Sequence, residues 1–307
     1  MKKNYSKIAA LSGMALFVGA VVTLSSCTNS EEVMNPSSQF SGPCAPVRVH
    51  VSDFSFSVEE FSEGRTRAVQ DVADYDYVGA VDLAFYADGS EPLKFTQVKG
   101  DGTYTTFGEF DCSLPLGTYT MVVVGRGLYD GDAFTLTSPT SAGYTSNFAR
   151  ETFCTTQSVT VTAAGADVSV TLNRINSGIQ IRSTDNRPAG VSKIRTTYAA
   201  GSKSFNPTTG LATSNTGFSV TNNPSSAVGA AINTGNFVFL ATDEQTMNIT
   251  IEVLDASDHV LFTKLAENVP LKRNRKTVLS GSLFTAATSS FSFQLETSWL
   301  DDHTVNF

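Results

Sequence analysis

Apolar side chains recur at every second position along much of this chain, in short runs broken by Gly, Asp and Pro. Neighbouring side chains on a strand point to opposite faces, so a period of two marks a half-buried β-strand. Val47, Val49 and Val51 alternate, and Phe54, Phe56 and Val58 then alternate in the other phase. A phase change inside one strand calls for an extra residue, so a bulge or bend is expected near Ser52 and Asp53. Strands are expected next at residues 77–86, 93–98, 104–113 and 119–125. Asp88-Gly89, a hairpin signal, separates the first two. The last contains Met121-Val122-Val123-Val124, a run suited to a core. Residues 152–161 and 168–172 resume the pattern. Short strands punctuated by turn residues imply a sandwich or a barrel.

The series is interrupted at Asn173-Arg174-Ile175-Asn176-Ser177-Gly178, and Ile179-Gln180-Ile181-Arg182 starts a new one. We place a domain boundary at residues 172–176. Further strands are expected at 179–182, 192–198, 237–241, 247–254, 260–265, 276–283 and 291–299. Segments 59–76, 128–150 and 208–234 read as loops, the second with room for a short helix. No period of 20–50 residues indicates a repeat array. The expected fold class is all-β, with an N-terminal sandwich at 47–173 and a C-terminal one at 174–307. The length of 307 residues accommodates two ordinary domains.

The beginning of the chain has a different character. Lys2, Lys3 and Lys7 precede an apolar stretch at residues 8–24 that ends in small residues, the organisation of a secretory signal peptide. The stretch is shorter than the about 20 apolar residues of a spanning helix and carries two glycines. Leu24-Ser25-Ser26-Cys27 resembles a bacterial lipobox. That resemblance implies cleavage after Ser26 and a diacylglycerol on the Cys27 thiol, with the new amine also acylated. More than one acyl chain makes anchoring stable, at about 0.8 kcal/mol per buried CH₂. The absence of Asp directly after Cys27 and the presence of Ser30-Glu31-Glu32 resemble sorting signals of Bacteroidetes surface lipoproteins. Residues 27–46, polar and with three prolines, read as a flexible tether.

The formal net charge is −8, and removing residues 1–26 takes away lysines but no acid, so the remainder is more acidic still. Such a chain is a poor binder of polyanions, and nucleic acid is not an expected partner. An exported chain can form disulfides, and Cys44, Cys112 and Cys154 allow one bridge in three pairings that spacing does not distinguish. No Cys-x-x-Cys occurs and His50, His259 and His303 are scattered, so no metal site and no cofactor are expected. There is no Gly-x-Ser-x-Gly, His-Glu-x-x-His or phosphate-binding loop, and no nucleophile, base or metal set can be named. An enzyme is not expected.

Taken in order, the lipobox, VGAVDLAFYADG, LPLGTYTMVVVGRG, the junction LNRINSGIQIRS, the late VPLKRNRKTVLSGSLF and a closing β run to Trp299 resemble the Bacteroidales fimbrillin superfamily of major subunits, anchors and accessory lipoproteins. The resemblance implies two transthyretin-like Greek-key sandwiches in an outer-membrane lipoprotein at the cell surface. It implies assembly into a fimbrium, with other fimbrial subunits as partners through donated β-strands. Major subunits of that family are cut after an arginine in the loop following the first strand, and a neighbour's strand fills the groove left behind. Arg65, Arg67 and Ala68 in RTRAV resemble that maturation site. They also fit an uncut, solvated loop. Residues 289–299 are a donor candidate, with Phe291, Phe293 and Leu295 alternating against polar residues. They equally fit the last strand of the second sandwich. Lys272-Arg273-Asn274-Arg275-Lys276 is the densest basic patch; it could bind an acidic partner or polysaccharide, but reads first as a solvated turn, the usual fate of a short charge run. A different role, capture of glycans or host proteins by a monomeric surface lipoprotein, would need an exposed aromatic platform.

Overall fold

Alternation places the first strand and decides which of its faces is inside. Val47, Val49 and Val51 are buried while Arg48 is exposed, and beyond an extra residue the buried position becomes Phe54. The computed structural model describes residues 42–59, 65–72, 74–128, 133–285 and 291–296. The described residues form strands β1 (Cys44–Glu59), β2 (Arg65–Asp71), β3 (Ala80–Tyr86), β4 (Leu93–Val98), β5 (Glu109–Pro115), β6 (Gly117–Arg126), β7 (Phe134–Ser138), β8 (Ser141–Tyr144), β9 (Thr152–Val161) and β10 (Ala166–Arg174). They continue with β11 (Ser177–Asn186), β12 (Lys193–Tyr198), β13 (Ser204–Asn206), β14 (Leu211–Ala212), β15 (Phe218–Asn222), β16 (Ala231–Val238), β17 (Glu244–Leu254), β18 (Val260–Lys272), β19 (Lys276–Gly281) and β20 (Ser292–Glu296). The fold is all-β and sandwich-like.

The first sheet runs β2-β1-β10-β9-β6-β3-β4, with β5 also paired to β1. Strands β10 and β9 pair only at Asn173↔Cys154 and Arg174↔Phe153, so the sheet turns a corner there. It closes on one core, in which Val47, Val49, Leu114 and Leu172 from β1, β5 and β10 meet Leu83, Met121, Val123 and Val159 from β3, β6 and β9. Beyond the boundary region, β16-β11-β19-β20 and β15-β12-β17-β18 enclose a second core, including Ile179, Leu279, Ile194, Ile249 and Ile251. Each core has one parallel pair at its centre, β1 with β10 and β11 with β19.

A small sheet, β14-β13-β8-β7, takes strands from both sides of residue 174, with Phe205 of β13 opposite Ala142 of β8. It covers the outer face of β3 and β6. Val122 and Val124 join Ala84, Leu136, Tyr144, Phe205 and Phe239 in a third cluster, while Met121 and Val123 face the first core. Hence the Met-Val-Val-Val run is apolar without a break: both of its faces are covered.

Several expectations require correction. Segment 59–76 is not all loop, since β2 lies in it; 128–150 holds the hairpin β7–β8 and no helix among its described residues; 208–234 holds β14, β15 and the start of β16. These strands are short or rich in Ser, Thr and Asn, so their pairing with remote partners left little apolar alternation to read. The basic patch at 272–276 does form a turn, but Arg275 and Lys276 are buried. Cys112 and Cys154 are buried free thiols, so no bridge joins any two of Cys44, Cys112 and Cys154. The signal peptide, Cys27 and most of the tether lie outside the described residues.

Phe205, fully buried with its ring centroid 4.6 Å from that of Phe239, binds the small sheet to both halves. Phe205→Ala is expected to lower stability by about 3–5 kcal/mol in equilibrium chemical unfolding. A loss below about 1 kcal/mol would mean that this cluster does not fasten the sheet.

Candidate functional site

The middle of the first strand, from Val47 to Ser55, is interior to its sheet. One edge pairs in parallel with β10 from Val47↔Ala166 to Ser55↔Asn173. The other pairs with β5 from Cys44↔Pro115 to His50↔Glu109, and then with β2 from Asp53↔Asp71 to Glu59↔Arg65. The change of partner coincides with a register shift between Val51 and Asp53, where the phase change in the sequence placed a bulge. Val51 N–H donates to the Gly108 carbonyl at 3.0 Å, at the site of the changeover.

The inner face of β1 ends in an aromatic socket. The Phe54 ring lies 4.6 Å from Phe153 and 5.5 Å from Tyr75, centroid to centroid. Gly125 of β6 makes room for it: a methyl group there would sit 2.7 Å from the Phe54 ring and 3.2 Å from Leu172. The outer face carries charge. Arg48 Nε donates to Asp111 Oδ1 at 2.9 Å, His50 Nδ1 contacts Glu109 Oε1, and Asp167 of β10 stands opposite Arg48 in the register. At the N-terminal end of β1 a cavity of 620 Å³ opens between Cys44, Pro46, Arg48, Asp111, Cys112 and the 164–167 turn. Gly165 closes that turn at φ +88°, where a side chain would collide with the Pro46 carbonyl.

Arg65, Arg67 and Ala68 lie on β2, not in a loop. Their backbones pair with Glu59, Ser57 and Phe56, and β2 is the outermost strand of its sheet. The Arg67–Ala68 bond therefore sits on a sheet margin, paired on one side. The suggested donor segment is likewise marginal: among the described residues β20 pairs with β19 alone, as Lys276↔Glu296 through Ser280↔Ser292. Phe291 packs above Gly281, where a methyl group would meet the ring at 2.7 Å. Leu295, of the same phase, is exposed, so the apolar face expected for Phe291, Phe293 and Leu295 is not uniformly buried. The Phe293 side chain lies outside the described residues.

Sequence reasoning missed a polar network beneath the aromatic socket. The Tyr75 hydroxyl donates to Glu151 Oε1 at 2.8 Å, and Arg174 Nη2 approaches the same oxygen at 2.5 Å. Arg174 also donates to Asn274 Oδ1 at 3.3 Å in the β18–β19 turn and lies 5.1 Å from the centroid of the Phe153 ring. Burial first, and then the Glu151 charge, hold the Tyr75 phenol far above its ordinary pKa. No signal in one sequence could have joined residues 75, 151, 174 and 274. Beside the network a 510 Å³ cleft is lined by Cys154, Thr156, Asn173, Thr209, Asp243 and Arg273 among others. Arg273 is paired with Asp243 at 2.7 Å, and Lys272 with Glu244 at 2.8 Å. Burial pushes the thiols of Cys112 and Cys154 up to about 12, so both stay protonated and poorly nucleophilic at neutral pH. Among the described residues no cluster of three metal-binding side chains occurs.

Residues 46–306 match a family of unknown function (DUF6562). No curated protein matches the sequence. Among solved structures, the chain is similar to a candidate adhesin from Bacteroides ovatus, with 8% identity, coverage of 73% of this chain and 82% of that one, and a TM-score of 0.48. It is similar to a candidate cell adhesion protein from Bacteroides ovatus, with 12% identity, 85% and 100% coverage, and a TM-score of 0.47. It is also similar to the fimbrial anchor protein Mfa2 from Porphyromonas gingivalis, with 11% identity, 83% and 98% coverage, and a TM-score of 0.46.

Replacing Arg174 by Met leaves Glu151 buried without its cation. A loss of about 3–5 kcal/mol is expected in chemical unfolding, and adding Glu151→Gln should recover part of it. Because the Tyr75 pKa is raised on folding, its contribution is complete below the ordinary tyrosine pKa of about 10 and declines as pH rises beyond it. Unfolding titrations of the wild type between neutral and alkaline pH should show that decline, and Tyr75→Phe should make it shallower, with burial of Tyr198 and Tyr86 accounting for part of what remains.

Proposed function

The chain belongs to this family of unknown function, and from that premise we propose that it is a cell-surface fimbrial subunit or anchor that joins its neighbours by exchanging a β-strand. Delivery is by a lipid on Cys27, which holds the protein at the outer membrane. Residues 47–173 and 174–307 are the two sandwich domains of this proposal. Cleavage at Arg65 or Arg67, with Ala68 as the new N-terminus, separates β1 from the rest of the chain.

The observation that carries the reading is the position of β1. It is flanked by β10 on one edge and by β5 and β2 on the other, and its inner face fills the first core. Without it, two rows of N–H and C=O groups and an apolar trough would face water, a strong template for an extended segment from another chain. The marginal position of β20 makes residues 289–299, with Phe291, Phe293 and Leu295, the donor candidate for a further subunit. The glycan-binding alternative lacks its platform: among the residues whose burial is described, Tyr77 is the one exposed aromatic, and its ring lies against Tyr75.

A site-specific protease sequence placed in residues 60–64 provides the test. The uncut protein, expressed from residue 28 onward, should run as a monomer in size-exclusion chromatography. The cut protein should release its N-terminal fragment in exchange for an added extended peptide of residues 45–58. A cut protein that never exchanges that fragment would rule out strand exchange. Mass spectrometry of the protein recovered from its own cells separates the remaining cases, since a lipidated Cys27 marks an anchor and an Ala68 start marks a matured subunit.

A further inference from the structure

The slot held by β1 is selective on both of its faces. Inside, it takes three small β-branched residues at alternate positions, then one inserted residue, then an aromatic ring between Phe153, Tyr75 and Leu172 above Gly125. Outside, its walls are acidic: Glu109 and Asp111 stand on β5 and Asp167 on β10, and Arg48 lies among them. The hydrogen bond to Asp111, then the charges of Asp111, Asp167 and Glu109, raise the Arg48 pKa. His50 supplies the second outward contact, to Glu109. These charges are exposed, so they contribute little affinity. They act on encounter rate, register and rejection of wrong partners, which is the usual work of charge at the rim of an interface.

We propose, building on the strand-exchange reading, that this slot accepts an extended segment of another protein that carries basic side chains at alternate outward positions and an aromatic residue three beyond its last small apolar one, and that it rejects the C-terminal strand of its own kind. The second clause follows from charge. After Lys276 the sequence contains no Lys or Arg, and its acids are Glu296, Asp301 and Asp302. The polar positions that alternate with Phe291, Phe293 and Leu295 are Ser292, Gln294 and Glu296. Such a strand would bring a carboxylate to a wall of carboxylates, and like charges placed opposite each other across a strand pair are destabilising. The spacing fails as well: the residue three beyond Leu295 is Ser298, not an aromatic. The chain therefore takes its neighbour from a different subunit and does not build a polymer of itself.

The test uses the full chain cut within residues 60–64 and fluorescent peptides read by anisotropy. The probes are residues 45–58 of this sequence, the same peptide with Arg48→Glu and His50→Glu, the same peptide with Phe54→Ala, and residues 289–299. The unaltered β1 peptide should exchange into the cut protein. The charge-reversed peptide should associate about tenfold more slowly at low salt, with the difference shrinking as salt is added. The Phe54→Ala peptide should bind about a hundredfold more weakly, and the 289–299 peptide should not compete. An equal association rate for the charge-reversed peptide at low salt, or competition by 289–299 as effective as that of the β1 peptide, would overturn the selectivity while leaving strand exchange standing. If not even the β1 peptide enters, strand exchange and the selectivity both fail. The socket is checked independently in the uncut chain. Gly125→Ala should destabilise it, and Phe54→Leu should relieve most of that loss; additive effects would mean that Gly125 does not shape a socket for the Phe54 ring.

Discussion

The backbone pairing of β1 on both edges is the constraint on which the first half of the molecule rests. A buried N–H or C=O without a partner costs free energy comparable to a lost hydrogen bond, so a strand enclosed on both sides must be matched along its whole length. Here the matching is shared among three neighbours. β10 follows β1 in parallel from Val47 to Ser55, while β5 gives way to β2 at the bulge. Apolar burial acts together with this pairing, because the side chains of Val47, Val49, Val51 and Phe54 fill the space between the two layers. A strand held in this way is hard to extract, and its slot, once empty, is hard to leave unfilled.

The halves of the chain are not joined by a linker alone. The small sheet pairs β8 with β13, and the cluster around Phe205, Phe239 and Tyr144 covers the outer face of β3 and β6. Arg126 strengthens the same connection, since it is paired with Asp82 at 2.6 Å and lies 4.8 Å from the Phe134 ring centroid. On the other side, Arg174 reaches from the end of β10 to Asn274. A load applied to one half would thus be carried to the other through packed side chains and buried polar contacts.

Polar residues in this molecule divide by burial. The Arg174–Glu151–Tyr75 network is enclosed, and its members satisfy one another because water cannot. The Arg48–Asp111 pair is open to solvent and adds little to stability. Both sets flank β1: one lies beneath its aromatic end and the other along its outer face. Loss or replacement of that strand would alter both environments.

By itself the sequence determined what is local. Alternation is a property of neighbouring residues, so it located most strands, the bulge near Ser52 and the core run at Met121, and with them the all-β class. The N-terminal motif ending at Cys27 and the RTRAV segment were equally legible, since each is a short contiguous pattern. What the tertiary structure decided was pairing. Strands β2, β7, β8, β14 and β15 are short or polar and take their order from distant partners, so they looked like loops. Arg65 and Arg67 were visible, but not their place on a sheet margin. The acidic walls of the β1 slot exist only because β1 is registered against β5 and β10, about sixty and more than a hundred residues away. A linear pattern holds no information on such register, because it follows from which backbone hydrogen bonds the whole chain can satisfy at once.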